Sequence, residues 1–262
     1  MALTRWARED EIAILSLDRA SKKNAVNLEM LEELDAHLDR ATGDDSLRVL
    51  IVKGEGGCFC AGADIKNLAS FSPESMRTFH DLRERVLGKL ESLPCPTLSL
   101  IEGFALGTGL ELALSTDFRV AAAGARFGIP SSRLGLTESH HYLTRLVRCA
   151  GLSRARFLVF TGENLTADEA LGWGLVERVC PDAEVEERAR HIARSIAGNA
   201  PAAVRASKKI LAECDRDPYL ESVADPGGSM AGSAGGEELR EGAAAFSERR
   251  QARFAPPGGP GG

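Results

Sequence analysis

The chain has 262 residues, 44% of them hydrophobic and 27% charged, proportions that exclude a disordered, collagen-like or transmembrane-bundle protein. Its 38 acidic and 32 basic side chains leave a net charge of −6, which argues against a mainly electrostatic grip on nucleic acid or an anionic membrane. No run approaches the roughly 20 apolar residues that span a bilayer, and Arg and Glu interrupt the first ten residues, so neither a span nor a secretory signal is expected and a cytoplasmic location follows.

In chain order, short β-branched or aliphatic runs alternate with longer amphipathic ones, the pattern of an α/β fold. Strands are expected at Ile12–Leu17, Val49–Lys53, Thr97–Ile101, Phe118–Ala122 and Val176–Val179. Between them, Asn27 is placed to cap a helix running to about Ala41, and Ser72 before Pro73 marks the start of one running to about Glu91. Thr166-Ala-Asp-Glu169 is a capping-box pattern opening a short helix to Leu171, ended by Gly172 and Gly174. From Asp182 onward only helical patterns occur, at 183–197, 201–213 and 236–252. The stretch 217–236, rich in glycine and proline, reads as a loop or broken helix, and the tail from 255 as disordered. This divides the chain into a core at 1–180, a helical region at 181–254 and a tail at 255–262. The six cysteines lack paired CxxC spacing, so neither a zinc site nor a disulfide framework is expected; Cys58 and Cys60 are the only close pair.

Two glycine-rich segments follow expected strands and lead into helices: Gly54 to Leu68, and Ile101 to Leu114. Unpaired N–H groups at such starts can bind an oxyanion. A dinucleotide fingerprint does not fit, since Gly107-x-Gly109 is followed by Leu at 112; the P-loop ending and a Gly-x-Ser-x-Gly nucleophile elbow are also absent from the sequence.

Together, Ser21-Lys-Lys-Asn-Ala-Val-Asn27, Phe59-Cys-Ala-Gly-Ala-Asp64 and Gly103-Phe-Ala-Leu-Gly-Thr-Gly-Leu-Glu111 resemble the signature segments of the crotonase, or enoyl-CoA hydratase/isomerase, superfamily. Further similarity at Asp117, Phe127-Gly-Ile-Pro130, Leu134-Gly135, Thr161-Gly162, Gly174-Leu-Val176 and Ala245 to Arg250 extends it over nearly the whole chain. The resemblance implies a spiral of ββα units with a helical C-terminal trimerisation region, and a homotrimer or hexamer acting on an acyl-CoA. Coenzyme A would enter as part of the substrate, with no separate cofactor and no metal. The family's shared step is stabilisation of a thioester enolate, and by position its two oxyanion donors are the backbone N–H groups of Ala63 and Thr108.

Glu111 falls where the family's hydratases have the first of two glutamates that handle water and proton; Thr108-x-x-Glu111 also fits a purely structural capping box. The second hydratase glutamate should follow Phe127-Gly-Ile-Pro130, where this sequence has Ser131, which cannot act as a carboxylate base at neutral pH. Seven residues on, Glu138 lies near where other branches of the superfamily place a working carboxylate, and is the second acid/base candidate. His140, beside it, is a candidate substrate contact, with His141 and Tyr142 adjacent. The resemblance also assigns CoA contacts to Lys22, Lys23 and Ala25, to the Ala61–Lys66 turn with Asp64 and Ile65, to Gly107, and to Arg250 and Arg253. Enoyl-CoA hydration or isomerisation is the leading expectation. Another superfamily activity, such as a decarboxylase, a thioester or C–C hydrolase or an aromatic acyl-CoA lyase, is the alternative, and a non-catalytic CoA-binding homologue is a third reading.

Overall fold

A computed structural model of the protein describes residues 2–216 and 236–255. The expected irregular stretch after Arg216, as far as residue 235, and the tail beyond Ala255 lie outside the described residues. Within them the chain forms a six-stranded sheet and a smaller three-stranded one. The large sheet begins with β1 (Thr4–Glu9) and β2 (Ile12–Leu17), an antiparallel hairpin, followed by α1 (Leu28–Thr42) and β3 (Val49–Gly54), which pairs parallel with β2. A single turn, α2 (Ile65–Leu68), and the long α3 (Pro73–Ser92) lead to β4 (Thr97–Ile101), parallel to β3.

The next two passages repeat one plan. β4 is followed by β5 (Phe104–Leu106) and α4 (Thr108–Leu114), and β6 (Phe118–Ala122) by β7 (Arg126–Gly128) and a 3-10 turn at Pro130–Leu134. Each time a strand of the large sheet runs on into a short strand of the small sheet, where β5 pairs parallel with β7. The passage after β3 does the same in miniature, since Cys60 bridges in parallel to Ala105 of β5. Three turns of chain therefore stack in register, which is the spiral of ββα units that the resemblance implied.

The chain continues through α5 (His140–Ala150), α6 (Leu152–Thr161), β8 (Asn164–Thr166), α7 (Ala167–Trp173) and β9 (Arg178–Cys180). It closes with α8 (Val185–Ala197), α9 (Pro201–Arg216) and α10 (Glu237–Glu248). Two apolar layers flank the large sheet. Leu15, Leu50 and Val52 face α1 and α3, whereas Ile14, Ile51, Leu98 and Val120 face Val185, Ala189 and Ala193 of α8. Strands buried on both faces need continuous apolar runs, and Val49-Leu-Ile-Val52 supplies one.

The expected helix starts are present: Asn27 accepts from the Met30 N–H at 3.0 Å, Ser72 accepts from Ser75 at 3.2 Å, and Thr166 with Glu169 forms a full capping box. The last expected strand moves, because Gly174 turns through φ +80° and the ladder to β6 starts only at Arg178. Among the described residues no helix is long and apolar enough to cross a membrane.

Candidate active site

The turns that leave β3, β4 and β6 converge at one end of the sheet, the side on which open α/β sheets generally bind ligands. The first is tied to the second by backbone bonds from Phe59 N to Glu102 O at 2.8 Å, Cys60 N to Phe104 O at 2.7 Å and Leu106 N to Cys60 O at 3.0 Å. Glycine permits this closeness at two points. A Cβ on Gly109 would stand 2.3 Å from the Cys60 carbonyl oxygen; Gly62, at φ +108°, would carry one 3.0 Å from the Leu106 oxygen and 4.0 Å from the Thr108 nitrogen. Residues Ala63 and Thr108 thus open side by side onto a cavity of about 380 Å³ that both of them line. Among the described residues neither of their backbone N–H groups donates a hydrogen bond. Buried N–H groups are nearly always paired, so two adjacent bare ones facing a cavity mark a place for an external acceptor.

The loop around residues 19–26 braces the first turn. Ala61 N donates to Lys23 O at 3.0 Å, Val26 N to Gly62 O at 2.8 Å and Asp64 N to Val26 O at 2.8 Å. Asn24, fully buried, donates through its amide to Cys58 O at 2.6 Å and Glu55 O at 3.0 Å, and accepts from Arg19 N at 2.8 Å. Arg19 also reaches Asp64 at 2.8 Å and the Ala25 carbonyl at 3.0 Å. Burial opposes ionisation of Asp64, but the Arg19 guanidinium and nearby N–H groups hold its carboxyl below the usual range. Lys22, Lys23 and Lys66 are exposed, and the Lys23 ammonium sits 4.8 Å from the centroid of the Phe104 ring. Cys60, enclosed behind the turn, has its thiol pushed up to about 12 by burial and is inert.

Helix α4 carries Glu111. The capping box read from Thr108 and Glu111 does not form: Gly107, at φ 49° and ψ −120°, takes the cap position and Thr108 is the first helical residue. The Gly107 carbonyl instead receives the Glu111 N–H at 3.0 Å and the hydroxyl of the fully buried Tyr142 at 3.0 Å. The Glu111 side chain is left for other work. Its carboxylate is inaccessible to solvent, with Arg83 Nε 3.3 Å from Oε2, Arg145 Nη1 3.9 Å from Oε1 and Ser139 Oγ donating to Oε1 at 3.4 Å. Oε2 has no hydrogen-bond partner. Burial drives the carboxyl up to about 7, with Glu84 and Glu138 adding to the rise and Arg83 and Arg145 opposing it. A group balanced there can both take and give a proton at neutral pH.

Glu138 and Ser131 meet on the cavity wall, where the Ser131 hydroxyl donates to Glu138 Oε1. Glu138 and the two bare N–H groups therefore border one space. Arg83 and Ser139 line it, and Glu111 lies immediately behind them. Ala61, Ile65 and Gly107 line it as well. His140 does not: it is exposed at the start of α5, edge-on to His141 at 6.3 Å. Arg250 and Arg253 are not brought to the cavity either. Two carboxylates engage the Arg250 guanidinium, with Glu241 at 2.6 Å and Glu248 at 2.5 Å, and the Arg253 N–H donates to Glu241 at 2.7 Å. Among the described residues no three His, Cys, Asp or Glu side chains converge as a metal site.

A protein-family model described as enoyl-CoA hydratase/isomerase matches residues 7–257. The chain belongs to this family. It is 35% identical over 248 residues to a short-chain-enoyl-CoA hydratase of Clostridium acetobutylicum, covering 93% of this chain and 94% of that one. A 2,3-dehydroadipyl-CoA hydratase of Escherichia coli is 32% identical, covering 95% and 96%. The crystal structure of an enoyl-CoA hydratase from Bacillus anthracis superposes with a TM-score of 0.90 at 32% identity, covering 97% and 99%. The chain is accordingly an enzyme of the enoyl-CoA hydratase/isomerase type with the crotonase fold.

Arg83, Arg145 and Ser139 had no part in the sequence reading. The sequence nevertheless holds a signal for the two arginines. In α3 the buried stripe is Phe79, Leu82, Val86 and Leu90, and Arg83 falls inside it; in α5 Arg145 sits between the buried Tyr142 and Leu146. A charge within an apolar stripe needs a buried partner, and here both stripes turn their arginine toward one glutamate.

Proposed function

We propose that the protein hydrates a 2-enoyl-CoA, with Ala63 and Thr108 as oxyanion donors and Glu111 and Glu138 as the proton-handling pair. The observation that carries this reading is the convergence of two unpaired backbone N–H groups on a cavity lined by Glu138, with the buried Glu111 carboxyl, near neutrality, directly behind its Arg83 and Ser139 wall. A thioester carbonyl oxygen placed between those N–H groups gains charge as the reaction proceeds, and losing one such donor typically costs about 10²–10³ in rate. The reacting water would enter the cavity beside Glu138, with Glu111 reached behind Arg83 and Ser139. Its oxygen bonds to C3 while one carboxylate takes its proton, the C2–C3 π electrons move into the enolate, and C2 then takes a proton from the protonated carboxyl. The elements of one water are added in all. Ser131 supplies no base, but its hydroxyl fixes Glu138 through Oε1 and leaves Oε2 for the water.

The exposed Lys22 and Lys23, beside Ala25 and the Ala61–Lys66 turn, suit the phosphates of CoA, giving the local basic patch that a net charge of −6 conceals. The exposed Phe157, Phe160 and Leu171 on α6 and α7, and Phe246 on α10, fit burial between subunits of a trimer or hexamer, which light scattering would measure directly. Isomerisation is the second reading, favoured by one observation: Ser131 in place of the second hydratase glutamate. A substrate panel separates the two. Crotonyl-CoA, longer 2-enoyl-CoAs, 3-enoyl-CoAs, malonyl-type and aromatic acyl-CoAs are offered to the wild type, Glu111→Gln and Glu138→Gln. Hydration by the wild type and its loss in both variants is the expected result; turnover indifferent to Glu111 removes the proposal.

A further inference from the structure

The wall of the cavity formed by α3 is unlike the rest. Leu68, Phe79, Pro130, Leu134 and Leu136 make most of the lining apolar, as a hydrocarbon chain requires, yet α3 adds Arg77, His80 and Arg83. These positions are three apart and share one stripe of the helix. Arg83 is only 11% exposed and poorly satisfied. Its Nε has no hydrogen-bond partner, its Nη2 reaches only His80 Nδ1 at 3.4 Å and Glu84 Oε1 at 3.5 Å, and its Nη1 donates to nothing among the described residues. Glu111 lies at 3.3 Å from Nε without the alignment of a hydrogen bond, and its carboxyl, near 7, is partly protonated at neutral pH. Arg77, nearly two turns toward the helix start, has no ion pair among the described residues. A guanidinium presents five donors in a planar fork suited to a carboxylate, and a buried one left this bare is costly unless a ligand completes it.

From the unsatisfied Arg83 fork and the Arg77–His80–Arg83 stripe we infer that the acyl group accepted here carries a carboxylate beyond the reacting carbons, which these three residues receive. The inference rests on the acyl-CoA reading and narrows its substrate class to carboxyacyl-CoA thioesters. Arg83 then faces three anions: Glu111 at Nε, Glu84 at the edge of Nη2's reach, and the acyl carboxylate, whose donor is chiefly Nη1.

The test compares unreactive saturated thioesters by calorimetry: adipoyl-CoA against hexanoyl-CoA, and glutaryl-CoA against pentanoyl-CoA. Each pair shares the CoA moiety and the chain length and differs in the terminal carboxylate. Binding about tenfold tighter for the carboxylated member at one or both lengths is expected, as for a charge-assisted hydrogen bond formed out of water. The preference should collapse in Arg83→Lys, which keeps the charge and removes the fork, and shrink in Arg77→Gln, an exposed change that leaves the core intact. Equal affinity within both pairs overturns the inference while leaving the enoyl-CoA reading in place. So does an Arg77→Gln variant that weakens every thioester and free CoA alike, since Arg77 would then be serving a CoA phosphate. If none of the four thioesters binds, the acyl-CoA reading falls with it.

Discussion

Replacing Glu111 with Gln removes a carboxyl that folding holds near 7 instead of its ordinary 4.5. Below pH 4.5 the group is protonated in both folded and unfolded chains, and ionisation adds no cost to burial. Between 4.5 and 7 the unfolded chain releases the proton while the folded chain keeps it, so the wild type loses stability as pH rises; above 7 the loss is complete. That difference in proton affinity corresponds to about 3 kcal/mol. Gln does not titrate, so the variant should gain about 3 kcal/mol on the wild type across the window, or roughly 1 M in urea midpoint at an m value near 3 kcal/mol/M. The attraction of Arg83 and Arg145 for the ionised carboxyl is already contained in the value near 7, and the two arginines keep Glu84 and Glu91 in the variant. Urea melts of both proteins at pH 4.5 and pH 8.5 read the effect, and kcat in the same variant should fall by about 10² or more with its inflection near neutrality removed. A stability difference that is the same at both pH values would refute the claim that burial keeps this carboxyl protonated.

Gly109→Ala drives a methyl group against the Cys60 carbonyl, 2.3 Å away in the unrelaxed structure, and should lower stability by about 1–3 kcal/mol and separate the two oxyanion turns, read as a lower urea midpoint together with a lower kcat. Asn24→Ala removes the amide that receives the Arg19 N–H and supplies the Cys58 and Glu55 carbonyls; a loss of about 2 kcal/mol or more and a raised KM for enoyl-CoA are expected, and a loss under about 0.5 kcal/mol would show that the loop is not braced through this side chain. Glu138→Gln should cost about 10²-fold or more in kcat, whereas Ser131→Ala, which frees Glu138 but keeps its carboxylate, should cost less; the reverse order in steady-state assays would make Ser131 the more important group.

The parallel strands were readable because Val49 to Val52 and Thr97 to Ile101 are buried on both faces: the first is apolar throughout, and the second admits only the small hydroxyls of Thr97 and Ser99. Asn27, Ser72 and Thr166 were readable because a cap is a local event, settled within three residues. Strand β1 was missed: Thr4-Arg-Trp-Ala-Arg-Glu9 is an edge strand in which Arg5 faces outward and Arg8 shares the half-buried face of Trp6, so neither face reads as apolar. The small sheet was missed for another reason. Its strands are three residues each, too short for any period, and they exist only because successive turns of the spiral stack. In the site, the two glycine-rich turns and the placing of Glu111 within the second were legible through the motif they share with the family. The cap competing for Glu111 could be dismissed only once Gly107 was seen to occupy the cap position. That Ser131 would hold Glu138 across seven residues depends on how the 131–138 loop folds back, which no spacing rule encodes. Arg250 and Arg253 were grouped with the CoA site by resemblance, and their pairing with Glu241 and Glu248 is a feature of α10 and the turn after it.

The central claim is that this site adds water to a 2-enoyl thioester through Glu111. Mass spectrometry of crotonyl-CoA after incubation with wild type and Glu111→Gln, at equal concentration and pH 7, measures it directly. The expected result is a product heavier by one water with the wild type and at least 10²-fold less of it with the variant. Unchanged substrate, a product of the same mass with a shifted double bond, or equal hydration by both proteins would contradict it.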